Sequence, residues 1–137
     1  MTGVQTCALP ICFPVTIEVL VVSWLNSILA GDWANSAHGD KPDMPPTQYV
    51  LVDRTGGPRE AMVLDKAQIL IEVYHKTSRS AAKTQALDIA DRVIELEAYN
   101  DNITHASVNS VVNLDDLLGG YQRYQVYCDV CVCAGVS

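Results

Sequence analysis

The feature that most constrains the fold is the segment at residues 49–58, which reads YVLVDRTGGP. Four β-prone residues in succession predict a mostly buried strand, which we place at residues 48–54. Paired glycines permit positive φ and proline cannot continue a strand ladder, so residues 55–58 are predicted to end the strand. A strand that ends on a charged pair and a glycine turn suggests a docking surface. A plain strand end with a flexible turn is the alternative.

The length of 137 residues indicates one domain, and 49% apolar residues are enough for a core. No run reaches the roughly 18 to 20 apolar residues of a membrane span. The formal charge of −7, spread along the chain, argues against a protein that binds nucleic-acid phosphates through a basic patch. A negative charge is compatible with a surface past which DNA moves without binding.

The first twelve residues are expected to be an artefact rather than native sequence. Residues 1–11, MTGVQTCALPI, match the codon-by-codon translation of a sequencing-library adapter, and Cys12 fits the leftover base. A signal peptide is the rival interpretation, but no basic residue precedes the apolar part and Pro10 interrupts it. We therefore treat residues 13–137 as the native domain. The remaining cysteines are odd in number and clustered, which predicts no disulfide framework and a reducing place of synthesis.

Hydrophobic periodicity gives the order helix, strand, strand, helix, strand, strand. The predicted helices are residues 13–30 and 78–99, and the predicted strands are residues 48–54, 67–75, 103–112 and 121–133. The first two strands, residues 48–54 and 67–75, are expected to form an antiparallel hairpin with a long tip. The fold class is therefore α+β, with a mainly antiparallel four-stranded sheet packed with two helices.

Apolar residues at helical spacing predict which faces are buried. In the first helix, Trp24 lies on the stripe and is expected to be a core anchor rather than a ligand platform. The second helix is expected to be capped by Ser78 or Ser80 and to turn small alanines toward the sheet, with Ile94 on that inner side. Its charged residues are interpreted as a solvated face.

The cysteines near the C-terminus are the most conspicuous chemical signal. On an extended strand Cys128 points away from Cys131 and Cys133, so the three do not converge as zinc ligands must. Buried cysteine also packs as a small apolar residue, and we predict this role and no metal. The Asp115-Asp116 pair is interpreted as a solvated loop rather than a calcium site, and His38 beside two aspartates as a chance neighbour.

No catalytic set is recognisable, because the chain has no nucleophile elbow, phosphate-binding loop, zinc-protease motif or dinucleotide fingerprint. The long loop at residues 31–47 contains Trp33, which either contacts a partner or folds back on the core. The sequence leaves both open. We expect no cofactor and no enzymatic activity.

Taken together, the order and spacing resemble the tail terminator proteins of long-tailed, siphovirus-type bacteriophages. The similarity covers residues 13–137. It is carried by an amphipathic helix, a strand running into Arg54-Thr55-Gly56-Gly57, the strand ILIEVYH, a helix beginning near SAA, and a final valine-rich strand that starts with RYQVY. The cysteine-rich end departs from the pattern.

The resemblance implies a structural virion protein of the tail and neck, assembled in the host cytoplasm. It would form a ring, usually a hexamer, that caps the tail tube, ends tail polymerisation and joins the head connector. Its partners would be other copies of itself, the major tail tube protein and the head-side connector or stopper protein, with genome DNA passing through the lumen and no membrane contact.

Six residues are predicted to lie at subunit or tail-tube contacts: Arg54, Thr55, Gly56, Gly57, Trp33 and Arg123. Two other functions stay open at this point. One is a different neck component, such as a head-completion or stopper protein. The other is a small thiol- or metal-dependent enzyme that uses the C-terminal cysteines.

Overall fold

A computed structural model describes residues 17–44, 46–56, 59–61, 64–114 and 120–132. Its helices are α1 (Ile17–Ile28), α2 (Arg79–Arg92) and the short α3 (Leu96–Tyr99), with 3-10 turns at Gly31–Trp33 and Val93–Glu95. Its strands are β1 (Ala37–His38), β2 (Gln48–Gly56), β3 (Arg59–Ala61), β4 (Leu64–His75), β5 (Ile103–Asn113) and β6 (Gln122–Val132). The predicted order of two helical regions and four principal strands is confirmed.

The strands form one mixed sheet in the order β1-β2-β4-β6-β5. The four long strands pair antiparallel, whereas β1 pairs parallel to β2 through Ala37 and His38. The short β3 pairs with the beginning of β4, inside the tip of the β2–β4 hairpin. The fold is therefore α+β with a mainly antiparallel sheet, as predicted, but β1 and β3 are added to the four predicted strands, so the sheet is not four-stranded.

The core lies between the helices and one face of the sheet. Alternate residues of the central strands are fully buried there, including Val50, Ile71 and Val126. From α1 the buried stripe includes Trp24, which is 1% exposed, so its predicted role as a core anchor is confirmed. Ala82 and Ala86 are completely buried, and their small side chains allow α2 to lie close to β4 and β6.

The side chain of Asn26 holds β1 in place. Its amide nitrogen donates to the carbonyl oxygen of Ala37 at 3.2 Å, and its amide oxygen accepts from the Ala37 amide at 3.0 Å. The Asn26 side chain thus imitates a neighbouring strand on one side of Ala37. A two-residue strand has no periodicity of its own, which is why the sequence pattern missed it.

The connection from β4 to α2 is fixed by two side chains. Ser78 caps α2, because its hydroxyl accepts from the Ala81 amide at 3.0 Å, which decides between the two predicted caps. His75 Nδ1 accepts hydrogen bonds from the backbone amides of Thr77 and Ser78, at 3.1 and 2.9 Å. These bonds satisfy amides that no strand or helix partner reaches.

Three predicted details are wrong. Residues 55 and 56 do not end the strand, because β2 continues to Gly56 through an irregularity in its pairing with β4. The strand predicted at residues 67–75 begins at Leu64, because its first residues include charged ones that hide the alternation. Ile94 is 65% exposed rather than on the inner side, since it lies beside the buried line that runs through Val93 and Leu96.

Some predictions fall outside the described residues. These are the artefact at residues 1–12, the first turn of the predicted first helix, Gly57, the pair Asp115 and Asp116, and Cys133. They stay predictions. Cys128 is buried in the core and Cys131 is half-buried on the other side of β6, which is the alternation that the sequence predicted.

Candidate functional site

The face of the sheet opposite the helical core carries a group of polar side chains that bond to one another. We call it the open face. Its residues alternate along the strands with those of the core, so that Glu72 of β4 lies opposite Gln125 of β6, and Tyr74 lies opposite Arg123. Polar groups held on rigid strands can present a fixed pattern to a partner.

An ion pair and its hydrogen bonds form the centre of the open face. Arg123 Nη1 donates to Glu72 Oε2 at 3.1 Å and to the Tyr74 hydroxyl at 3.3 Å. Gln125 Nε2 donates to the same Glu72 oxygen at 2.9 Å, and the Tyr127 hydroxyl donates to Gln125 Oε1 at 3.1 Å. We call these five residues the open-face network. The side chains of Arg123 and Glu72 are only 22% and 15% exposed, so the network is substantially shielded from water.

Two further tyrosines, Tyr49 and Tyr121, pack against Tyr74 of this network at one end of the sheet. The rings of Tyr49 and Tyr74 stack with centroids 4.6 Å apart, and Tyr121 meets both edge-on at 5.5 and 6.1 Å. The guanidinium carbon of Arg123 lies 5.8 Å from the Tyr74 ring centroid, within the range of a cation–π contact. The Tyr121 hydroxyl donates to the Pro46 carbonyl oxygen at 2.9 Å, which ties the loop before β2 to this end.

Burial changes the ionisation of two groups in the sheet. Desolvation raises the pKa of Tyr74, while the hydrogen bond from Arg123 partly opposes this and nearby Glu72 adds to it. Burial likewise raises the pKa of the Cys128 thiol to about 12, with a smaller contribution from Asp129. A thiol with so high a pKa stays protonated at neutral pH and is a poor nucleophile.

A groove of about 340 Å³ opens at the other end of the sheet. We call it the bulge groove; its lining residues are Thr55, Gln68, Asn109, Ser110, Tyr127 and Cys128. They come from four adjacent strands, and none of them carries a formal charge at neutral pH. The groove offers hydroxyl and amide groups beside one aromatic ring, a lining suited to peptide groups and neutral side chains rather than ions.

Two strand irregularities shape this groove. The pairing of β2 with β4 shifts between Arg54 and Gly56, and that of β5 with β6 shifts between Val108 and Ser110. The residues inside these two shifts, Thr55 and Asn109, both line the groove. Bulges re-aim side chains and are frequent next to functional sites. The coincidence of two of them at one concavity makes it the best candidate for a contact surface.

The predicted contact residues lie in two separate places. Arg54 and Gly56 pair with Ile69 and Gln68 near the groove, and Thr55 lines it. Arg123 instead lies opposite Tyr74. The two places are six residues apart along β4, about 20 Å at 3.3 Å per strand residue.

Trp33 and Arg123 are engaged within the protein. Trp33 is half-buried and packs against the core, with its ring centroid 6.2 Å from that of His75, so it folds back at least in part. Arg123 is held by Glu72, by Tyr74 and, through Nε at 2.8 Å, by the carbonyl oxygen of Leu114. Their predicted contacts with a partner stay predictions.

Sequence reasoning missed Gln68, Asn109 and Tyr127 of the groove and Glu72 and Gln125 of the network. The alternation of β4 and β6 indicates which of these share a face. Which residues become neighbours depends on the register of each strand pair, which alternation does not reveal. The registers of the β2–β4 and β5–β6 pairs also shift at bulges.

Neither a metal centre nor a membrane span is found in the described parts of the chain. Across residues 17–44, 46–56, 59–61, 64–114 and 120–132, no three His, Cys, Asp or Glu side chains come together as metal ligands. Within the same ranges, the helices are too short or too polar to cross a bilayer. No protein-family model matches the sequence, and no curated protein matches it either.

Proposed function

We propose that this protein is a structural virion protein that forms a ring, a hexamer as in most tail terminators, at the end of a phage tail tube. As a tail terminator it ends tail polymerisation and joins the tail to the head-side connector or stopper. Its place is the tail and neck of the virion, after assembly in the host cytoplasm. The proposal begins from the resemblance in element order.

The observation that carries the proposal furthest is the construction of the open face. Its central charged pair is neutralised internally, its polar groups bond to one another, and its groove is lined by uncharged groups. A catalytic site would instead hold reactive groups ready for a substrate. A rigid surface whose polar groups already bond to one another suits protein–protein contact, because polar groups that become buried at an interface need hydrogen-bond partners.

The overall charge is also consistent with a channel protein. With nine basic and sixteen acidic residues, the chain has a formal charge of −7. A ring of such subunits repels the DNA backbone on average, so the genome passes through the lumen without being gripped. We propose no specific nucleic-acid contact.

Another neck component is the second candidate, since a head-completion or stopper protein would also use a rigid contact surface. The thiol-enzyme alternative is less well supported. Cys128 is buried with a raised pKa, and Cys131 lies on the opposite side of the same strand. The two sulfurs therefore do not face a common substrate.

The test is negative-stain microscopy of the purified protein, alone and mixed with tail tubes, with mass measured by light scattering. We expect closed rings that bind tube ends and limit tube length. Rings that bind only head-side connectors would favour the other neck role. A protein that stays monomeric and leaves tubes uncapped would refute both.

The last part of β2 provides a sharper variant. Arg54→Ala should leave the circular dichroism spectrum unchanged but weaken ring formation or tube capping, because an arginine at an interface can pair with a carboxylate of the neighbour. Arg92→Ala is the matched control, since Arg92 pairs with Glu95 on the surface of the helical side. Normal capping by the Arg54 variant would show that this residue is only a charge at the strand end.

A further inference from the structure

We propose that the bulge groove of one copy receives the side chain of Met44 from the next copy. Met44 is carried by the Met44 loop, which is Gly39–Met44 together with Pro46 and Thr47, and the charged residues Asp40, Lys41 and Asp43 of that loop stay outside the uncharged groove. This inference rests on the proposed ring, and it names the surfaces through which neighbouring subunits would meet. The exposed loop and the receiving groove are different surfaces of the same chain. A contact between them is therefore head-to-tail and closes into a ring when the rotation permits.

Met44 has the properties of an anchor residue. Its side chain is 90% exposed, far more than any other exposed large apolar residue in the described part of the chain. A single exposed apolar residue is ordinary on a protein surface. Met44 differs because the chain around it is restrained: Pro42 and Pro46 fix their own φ angles, and Pro46 accepts the hydrogen bond from Tyr121. A restrained loop loses less conformational entropy on docking.

The groove has the matching chemistry. Tyr127 supplies an aromatic ring, and a methionine sulfur makes favourable contacts with aromatic rings. Gln68 and Asn109 supply amides, and Thr55 and Ser110 supply hydroxyls, which can bond to the peptide groups of an incoming loop. The flexible methionine side chain also tolerates an irregular concavity better than a branched residue does.

The placement of loop and groove prevents docking within a single copy. Pro46 is tied to Tyr121, which packs on Tyr74 near the end of β4. The groove lies at Gln68, six residues earlier on that strand, or about 20 Å away. A subunit cannot bring its own loop into its own groove across that distance while Pro46 stays bonded to Tyr121. A second copy can.

The first experiment compares Met44→Asp with Ile94→Asp by sedimentation and light scattering over a range of concentrations. Both residues are highly exposed, but Ile94 lies on the helical side. Losing the burial of one methionine at every contact should raise the concentration for half-assembly about tenfold or more. The Ile94 variant should assemble like the wild type. Equal effects of the two variants, or none from Met44→Asp, would overturn the inference.

The second experiment alters the other side of the contact. Asn109→Trp should fill the groove and weaken assembly, whereas Asn102→Trp, on the exposed turn before β5, should not. A photo-crosslinking amino acid at position 44 should then join to the peptide carrying Gln68 or to that carrying Tyr127 of another copy. Circular dichroism of each variant separates failed assembly from failed folding.

Different results would refute the proposed Met44 contact and the proposed function. If the wild type forms rings but crosslinks from position 44 map elsewhere, the Met44 contact is wrong while the ring stands. If the wild type never assembles and never binds tubes, the proposed function is wrong and the contact falls with it.

Discussion

Arg123 and Glu72 form an ion pair across β6 and β4, with 3.1 Å between Nη1 and Oε2 and less than a quarter of either side chain exposed. The pair is diagonal, because Arg123 is directly opposite Tyr74 and Glu72 is opposite Gln125. Gln125 shares the same carboxylate oxygen. The ion pair therefore links two same-face positions of each strand, Glu72 and Tyr74 on β4 with Arg123 and Gln125 on β6.

Arg123→Met should lower the free energy of unfolding by about 2 kcal/mol, between the ~1 kcal/mol of exposed pairs and the ~3 to 5 kcal/mol of fully buried ones. The cause is a shielded Glu72 carboxylate left without its cation. Denaturant unfolding measures the loss, and the double variant with Glu72→Gln should recover part of it. Arg92→Met is the control, and it should have little effect because that pair is exposed. Equal losses for both arginines would contradict the assignment.

Tyr74→Phe should change the alkaline stability of the protein. The pKa of Tyr74 is raised in the folded state, chiefly by burial, while an unfolded tyrosine ionises near pH 10. The stabilisation is thus fully present below about pH 10 and is lost as pH rises toward the folded pKa. Between about pH 9 and 11, the melting temperature of the variant should fall less steeply than that of the wild type. A slope left unchanged by Tyr74→Phe would contradict the assignment of this alkaline loss to Tyr74.

Cys128 should resist alkylation in the folded protein. At pH 8, a pKa of about 12 leaves roughly one thiol in ten thousand ionised, and the core also excludes the reagent. Peptide mass spectrometry after brief treatment with iodoacetamide should find Cys131 modified before Cys128, and Cys128 modified only after denaturation. Rapid labelling of Cys128 under native conditions would show that β6 opens readily.

Ser78→Ala should destabilise the protein by about 1 kcal/mol, because the first turn of α2 loses the acceptor for the Ala81 amide. Ser80→Ala is the matched control, since Ser80 is exposed within the same turn. Thermal unfolding of both variants decides between the two. A larger loss from Ser80→Ala would mean that the cap lies two residues later.

Local sequence patterns were sufficient to predict the long helices and strands. The alternation of β6 correctly separated Val126, Cys128 and Val130 from Tyr127 and Asp129, because one face of that strand is core and the other is not. The apolar stripe of α1 likewise identified Trp24. In both cases a strong period coincides with burial, so sequence and packing carry the same information.

Elements that depend on distant partners could not be predicted in this way. β1 exists because Asn26 bonds to Ala37 from α1, and nothing in residues 37 and 38 signals it. The bulge groove depends on Thr55 and Asn109, which are 54 positions apart and meet only through the registers of two strand pairs. The segment Thr55-Gly56 looked like a strand end because a bulge and a break use similar residues.

The two hydrogen bonds at His75 determine where its ring hydrogen lies. A nitrogen that accepts from the amides of Thr77 and Ser78 has no room for a hydrogen of its own, so the neutral ring carries it on Nε2. The turn into α2 thereby selects a single tautomer. Nitrogen chemical shifts of the labelled imidazole should show that form alone, and an equal mixture of both tautomers would mean that the turn is not held by the ring.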